Sequence, residues 1–109
     1  MISQKLASII KSKKDEVYVG SSTSINLFKL IKSILQSNKS IKNISTDNLN
    51  FPSDKYICEL IAKDFKIDFN FLDYGSDLMA DIEQLKEFIK EKRGIIVLSH
   101  VAYKSSYRY

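Results

Sequence analysis

Stretches with apolar residues at helical spacing alternate with short β-rich runs along the whole chain, and this alternation decides what it can fold into. Ile2, Leu6, Ile9 and Ile10 recur at the interval of a helix face and predict a helix over 2–12. "EVYV" at 16–19 reads as a strand stopped by Gly20. "SSTS" at 21–24 then offers several N-caps, and Leu27, Leu30, Ile31, Ile34 and Leu35 form the stripe of a second helix. "IKNIST" at 41–46 reads as a second strand. A third helix over 54–64 presents Tyr56, Ile57, Leu60 and Ile61 on one side. In "KIDFNFLDY", Ile67, Phe69 and Phe71 alternate with Asp68, Asn70 and Leu72, a half-buried strand ended by Gly75. "DIEQLKEFIKEKR" is a fourth amphipathic helix, with Gly94 at the place of a C-terminal glycine. "IIVLSHVAY" at 95–103 is an unbroken apolar run, which predicts a strand buried on both faces.

Helix and strand in strict alternation predict an α/β fold, a three-layer-type, mainly parallel sheet with helices packed on it and right-handed connections. Residues 1–109 are expected to form one unit. Tyr109 follows the most strand-like run by only six residues, so the chain reads as the opening part of a larger domain. An apolar strand without its neighbour leaves an open edge that invites pairing. Association with a second chain, or with itself, is therefore expected.

Charge narrows the partners. Seventeen Lys and Arg against thirteen Asp and Glu leave a net charge of +4, but the lysines are spread out and only Arg93 and Arg108 are arginines. A nucleic-acid footprint is more clustered and richer in arginine, so a solvated surface is expected and no nucleic-acid partner. No apolar run has the length of a membrane span, and the polar turn after Ile9-Ile10 does not resemble a secretory signal. Cys58 is the only cysteine and His100 the only histidine, which leaves no internal disulfide and no zinc cluster. A reducing, cytoplasmic setting fits.

Three stretches carry candidate chemistry. In "VYVGSSTSINLF" small hydroxylated residues open a helix, where free N–H groups and the helix dipole attract phosphate. Ser22, Thr23 and Ser24 serve there either as anion donors or as plain N-caps. In "NFPSDKY" Pro52 holds Asn50-Phe51 extended, and Ser53 or Asp54 is placed to cap the next helix. Phe51 is either a core residue or a ring at the C-terminal edge of the sheet, where ligands of open α/β sheets bind. In "VLSHVAYKSSYRY", Ser99 and His100 lie at the end of the last strand. A lone histidine without a placed partner is no general base.

Taken together, "VYVG" with "STSINLF", "NFPSDKYICELIA" and "GIIVLSHVAYKSS" resemble consecutive blocks of the kynureninase family. That family belongs to the fold-type-I aminotransferase superfamily and uses pyridoxal 5'-phosphate to hydrolyse kynurenine to anthranilate and alanine. The resemblance covers essentially all 109 residues and implies the first half of the large cofactor-binding domain. The Phe-Pro-Ser-Asp block is its most specific piece. It implies that Thr23 and Ser24 hold the cofactor phosphate, that Phe51 stacks on the pyridine ring, that Pro52, Ser53 and Asp54 complete that turn, and that Ser99 supplies a hydroxyl nearby. The family's Schiff-base lysine, the aspartate facing the pyridine nitrogen and the histidine after it have no counterpart in these residues. Lys104 follows the wrong strand and no matching motif surrounds it. Ser106 stands where the family has a glycine. The resemblance therefore implies a fragment that is inactive alone or one half of a split enzyme. The alternative is a non-catalytic α/β binding or interaction module.

Overall fold

The computed structural model describes residues 2–109. Four helices, α1 (Ile2–Ile9), α2 (Thr23–Ser37), α3 (Pro52–Phe65) and α4 (Ile82–Glu91), join three strands, β1 (Asn43–Asp47), β2 (Asp68–Leu72) and β3 (Ile95–Ile96). The strands form one sheet in the order β2-β1-β3. Both pairings are parallel, with Ile44 opposite Phe69 on one side and Ile95 on the other. The fold is thus α/β around a parallel sheet, as the alternation predicts.

One sheet face carries the core. Ile31 and Leu35 of α2 and Cys58, Ile61 and Ala62 of α3 close over Ile44, with Phe69, Ile95 and Val97 packed alongside. Burial of each large aliphatic here contributes roughly 1.5–3 kcal/mol. The apolar stripe read from 27–35 is therefore a core stripe, except that Leu30 faces solvent. Chain direction also matters. β1 leads through α3 to β2, and β2 leads back through α4 to β3 on the opposite side of β1. Strand order therefore reverses at β1, and ligands of open α/β sheets bind at the strand C-termini beside such a reversal.

Three local expectations are corrected. "EVYV" forms no strand; β propensity without a partner ladder leaves backbone groups unpaired, and Tyr18 instead lies exposed with the Lys29 ammonium 5.9 Å from its ring centre. The run 95–103 is not a long strand buried on both faces. Its ladder is confined to Ile95–Ile96 and one further bond, Val97 N–H to the Ser45 carbonyl at 2.9 Å. The chain then leaves the sheet and turns back, Val101 bridging Arg108, while Leu98, Val101 and Tyr103 stay partly exposed. Gly94 is not a left-handed helix cap, since Gly75 is the only glycine with positive φ. Space explains it: a Cβ at Gly94 would sit 2.4 Å from the Asn43 carbonyl oxygen and 2.3 Å from its Oδ1.

Two outcomes follow from this packing. Gly94→Ala should destabilise the chain by about 1–3 kcal/mol, the usual range for overpacking, because a backbone oxygen blocks the methyl group even where the Asn43 side chain can move aside; thermal unfolding followed by circular dichroism measures it. Cys58 is fully buried, and burial, with the nearby Asp54 charge, pushes its thiol up to about 12. A thiol reagent should therefore label Cys58 only as fast as the chain unfolds, and labelling at the rate of a free thiol under native conditions would contradict its placement.

Candidate functional site

Two helix N-termini meet at the C-terminal rim of the sheet. Ser22 caps α2, its Oγ accepting the Ile25 N–H at 3.2 Å. That leaves Thr23 exposed at the first helical position and Ser24 half-buried behind it. α3 begins earlier than its composition suggests: Phe51 is the N-cap and Pro52 the first helical residue. Proline fits there because it has no N–H to leave unpaired. Ser53 and Asp54 are thus not caps but sit within the first turn, corrected because the extended Phe51 already starts the helix and its carbonyl accepts the Asp54 N–H at 3.0 Å.

This register turns Ser53 toward α2, where the Ser24 hydroxyl lies 3.5 Å from the Ser53 hydroxyl. Ser53 Oγ is in turn 3.4 Å from Asp54 Oδ1. Phe51 is not a core residue: half its surface is exposed, and its ring meets Tyr103 edge-on with centroids 4.9 Å apart. Ser99 donates its hydroxyl hydrogen bond to Asn50 Oδ1 at 2.5 Å, next to Phe51 in the chain. Of the seven residues read from sequence, Ser24, Ser53 and Asp54 form one hydroxyl-rich group, and Phe51 and Ser99 are joined through Asn50. Thr23 stands beside the first group on the surface. Pro52 alone lines the neighbouring cleft.

That cleft, of about 220 Å³, lies between Asp47, Asn50, Lys55, Phe71, Tyr103 and Lys104. The Lys55 ammonium is 4.0 Å from the centre of the Phe71 ring, a cation–π contact. At its inner wall Asp47 is almost fully buried. Its Oδ1 accepts the Leu49 and Asn50 N–H groups at 3.0 and 2.9 Å, and its Oδ2 accepts the Tyr109 hydroxyl. Burial raises the Asp47 pKa above its ordinary 3.8, against the lowering by Tyr109 and the two amides. Burial also pushes the Tyr109 and Tyr74 hydroxyls up, each beside the Asp47 charge.

Asp47, Asn50 and Tyr103 were not singled out from sequence. Asp47 and Asn50 had a visible signal, a carboxylate and an amide bracketing "DNLN" directly after a β-rich run, the pattern of an Asx turn. Tyr103 had none, because its approach to Phe51 depends on the turn after β3.

In class this is an α/β segment with a parallel sheet, carrying hydroxyls and a half-exposed ring at its strand-order reversal. No protein-family profile matches the sequence. Individual relatives do. The chain is 34% identical over 110 residues to kynureninase of Pseudomonas fluorescens, covering 97% of this chain and 25% of that protein. It is 32% identical over 108 residues to kynureninase of Shouchella clausii (strain KSM-K16) and 32% over 111 residues to that of Burkholderia mallei (strain SAVP1), again covering 25% of each. The chain is kynureninase-like throughout, and it spans about a quarter of the length of the curated relatives it matches.

The buried acid gives a pH-dependent outcome. Because the folded pKa of Asp47 is raised, its contribution to stability is fully present below the unfolded value of 3.8 and is lost as pH rises through the folded value. Asp47→Asn keeps the Oδ1 acceptor and cannot ionise. Its melting temperature relative to the native chain should therefore rise between about pH 3 and pH 7. A difference that stays flat over that range would contradict the assignment. Asp47→Ala, which strands two amides, should instead cost about 1–3 kcal/mol for each buried group left unpaired.

Proposed function

We propose that this chain is the part of a kynureninase-like enzyme that holds one side of pyridoxal 5'-phosphate. The observation carrying the reading is the convergence of Ser24 and Ser53, 3.5 Å apart at two helix N-termini, beside a half-exposed Phe51. The fit is to a phosphate group and one ring face. Free helix-terminal N–H groups and hydroxyls attract an anion, and an exposed aromatic ring offers stacking area to a flat heterocycle.

In this reading Thr23 and Ser24, with Ser53, donate hydrogen bonds to the phosphate oxygens. Phe51 covers a face of the pyridine ring, with Tyr103 bracing it edge-on. Pro52 fixes the start of the helix that aims Ser53, Asp54 borders the Ser53 hydroxyl, whose single proton goes to the phosphate, and Ser99 presents its oxygen at the rim. Bound pyridoxal phosphate supplies an electron sink for bonds at the carbon next to its imine nitrogen. The chain's own residues bind and orient it. The covalent lysine, the acid facing the pyridine nitrogen and the substrate-selecting groups come from outside these 109 residues, in a longer polypeptide or a second chain. Kynurenine is the substrate of the assembled enzyme and anthranilate and alanine its products. No helix among the described residues is long and apolar enough to cross a membrane, and the lone buried thiol suits a reducing cytoplasm.

The purified chain mixed with pyridoxal phosphate and kynurenine should release no anthranilate, read by its fluorescence; release would overturn the division of labour. Titration calorimetry should detect cofactor binding that Phe51→Ala and Ser24→Ala each weaken by on the order of tenfold, about 1.4 kcal/mol. Unchanged affinity in both variants would remove the site from this rim. In sizing experiments the chain should run larger than a monomer, through the unpaired side of β3.

A further inference from the structure

We infer that Asn50 is the positioning residue that sets Phe51 and Ser99 relative to one another; its role for a bound ring rests on the function proposed above. Asn50 is 4% exposed and directly precedes the N-cap of α3. Its Oδ1 accepts the Phe51 N–H at 2.9 Å and the Ser99 hydroxyl at 2.5 Å. Its Nδ2 donates to Thr46 Oγ1 at 3.0 Å and to the Val97 carbonyl at 3.2 Å. Thr46 Oγ1 closes the circuit by donating to the same Val97 carbonyl at 2.8 Å. One side chain thus ties the exit of β1, the start of α3 and the exit of β3.

The amide orientation is fixed by its partners. A backbone N–H can only donate and a backbone carbonyl can only accept, so oxygen must face Phe51 and nitrogen must face Val97. Asparagine is the residue type that meets both demands at this length. Aspartate would keep the acceptor but turn an oxygen toward the Val97 carbonyl, and alanine would release all four partners. Because the Asn50 side chain is buried and all its hydrogen-bonding groups are paired, breaking the circuit frees two loops at once. The two residues it orients sit on different strands' exits, and no other side-chain hydrogen bond joins residues 50–51 to 97–99.

The test uses the full chain and nuclear magnetic resonance without cofactor. The Asn50 side-chain amide protons should exchange slowly and shift in Ser99→Ala. In Asn50→Ala the Phe51 amide should lose its hydrogen-bonded shift and the Tyr103 ring resonances should move, while the methyl groups of Ile31 and Ile61 hold their positions. Asn50→Asp at neutral pH should keep the Phe51 amide shift yet displace Val97 and Ser99. Unmoved Phe51 and Tyr103 signals in Asn50→Ala would overturn the inference, as would core methyl shifts as large as those at the rim. If Asn50→Ala does not fold, the Ser99→Ala and Asn50→Asp spectra decide in the same way. Calorimetry with pyridoxal phosphate is the second arm: Asn50→Ala should weaken binding by on the order of tenfold, and retained affinity counts against the positioning role. Absence of binding by the native chain counts against the proposed function alone, since the spectra still judge Asn50.

Discussion

Everything in this structure depends on β1 having a parallel neighbour on both sides. Parallel strands cannot be joined by a hairpin and need a crossover. α3 and α4 supply the crossovers, so all three strands end at one rim. The level of Ile44, Phe69 and Ile95 sets the register, because these side chains share the face covered by α2 and α3. A slip of one residue would turn Ser45 and Asn70 into that core. The exits of β1 and β3 consequently cannot separate without breaking the sheet, which is why residues fifty positions apart in the chain share a site.

Where the backbone ladder stops, side chains take over its hydrogen bonding. Val97 makes the last ladder bond through its N–H, and its carbonyl is claimed by Thr46 and Asn50 instead of a strand neighbour. Asp47 does the same for the amides of Leu49 and Asn50. Buried polar groups destabilise unless paired, and here each pairs with backbone that would otherwise be orphaned. The result is a loop tied to the sheet behind it by side-chain hydrogen bonds. The shortness of β3 and the order of the rim have one cause.

This division also explains what could be read in the sequence. Helices and strands set by periodicity were legible: the stripe at Ile31 and Leu35 and the alternation around Phe69 depend only on spacing. Strand 16–19 and the long strand 95–103 were not, because β propensity describes a side chain's fit to a sheet and not the presence of a neighbour. Gly94 was noticed for the wrong reason, since its close approach to Asn43 arises only when α4 returns to the sheet. Ser24, Ser53, Phe51 and Ser99 were singled out through resemblance and turn chemistry, but Tyr103, which Phe51 meets, was not. Asn50 stood in the same quoted stretch as Phe51 but had no assigned role, because its four partners lie on three segments that only the fold brings together.

The two halves of the rim differ in how committed their hydroxyls are, and that difference has chemical consequences. Ser99 sits 2.5 Å from Asn50 Oδ1, within the range of a strong O–H···O bond. Its proton is spoken for, so toward any arriving group Ser99 presents oxygen lone pairs. Ser24, Ser53 and Asp54 are linked only by separations of 3.5 and 3.4 Å, beyond the usual O–H···O distance. Those hydroxyls are brought together but weakly satisfied. An anion that accepts better than a neighbouring hydroxyl can draw both toward itself at little cost, with the two helix dipoles in its favour. The Asp54 carboxylate, 3.4 Å from the Ser53 hydroxyl, opposes an anion at this point, so the rim sets the pull of two helix N-termini against one negative charge.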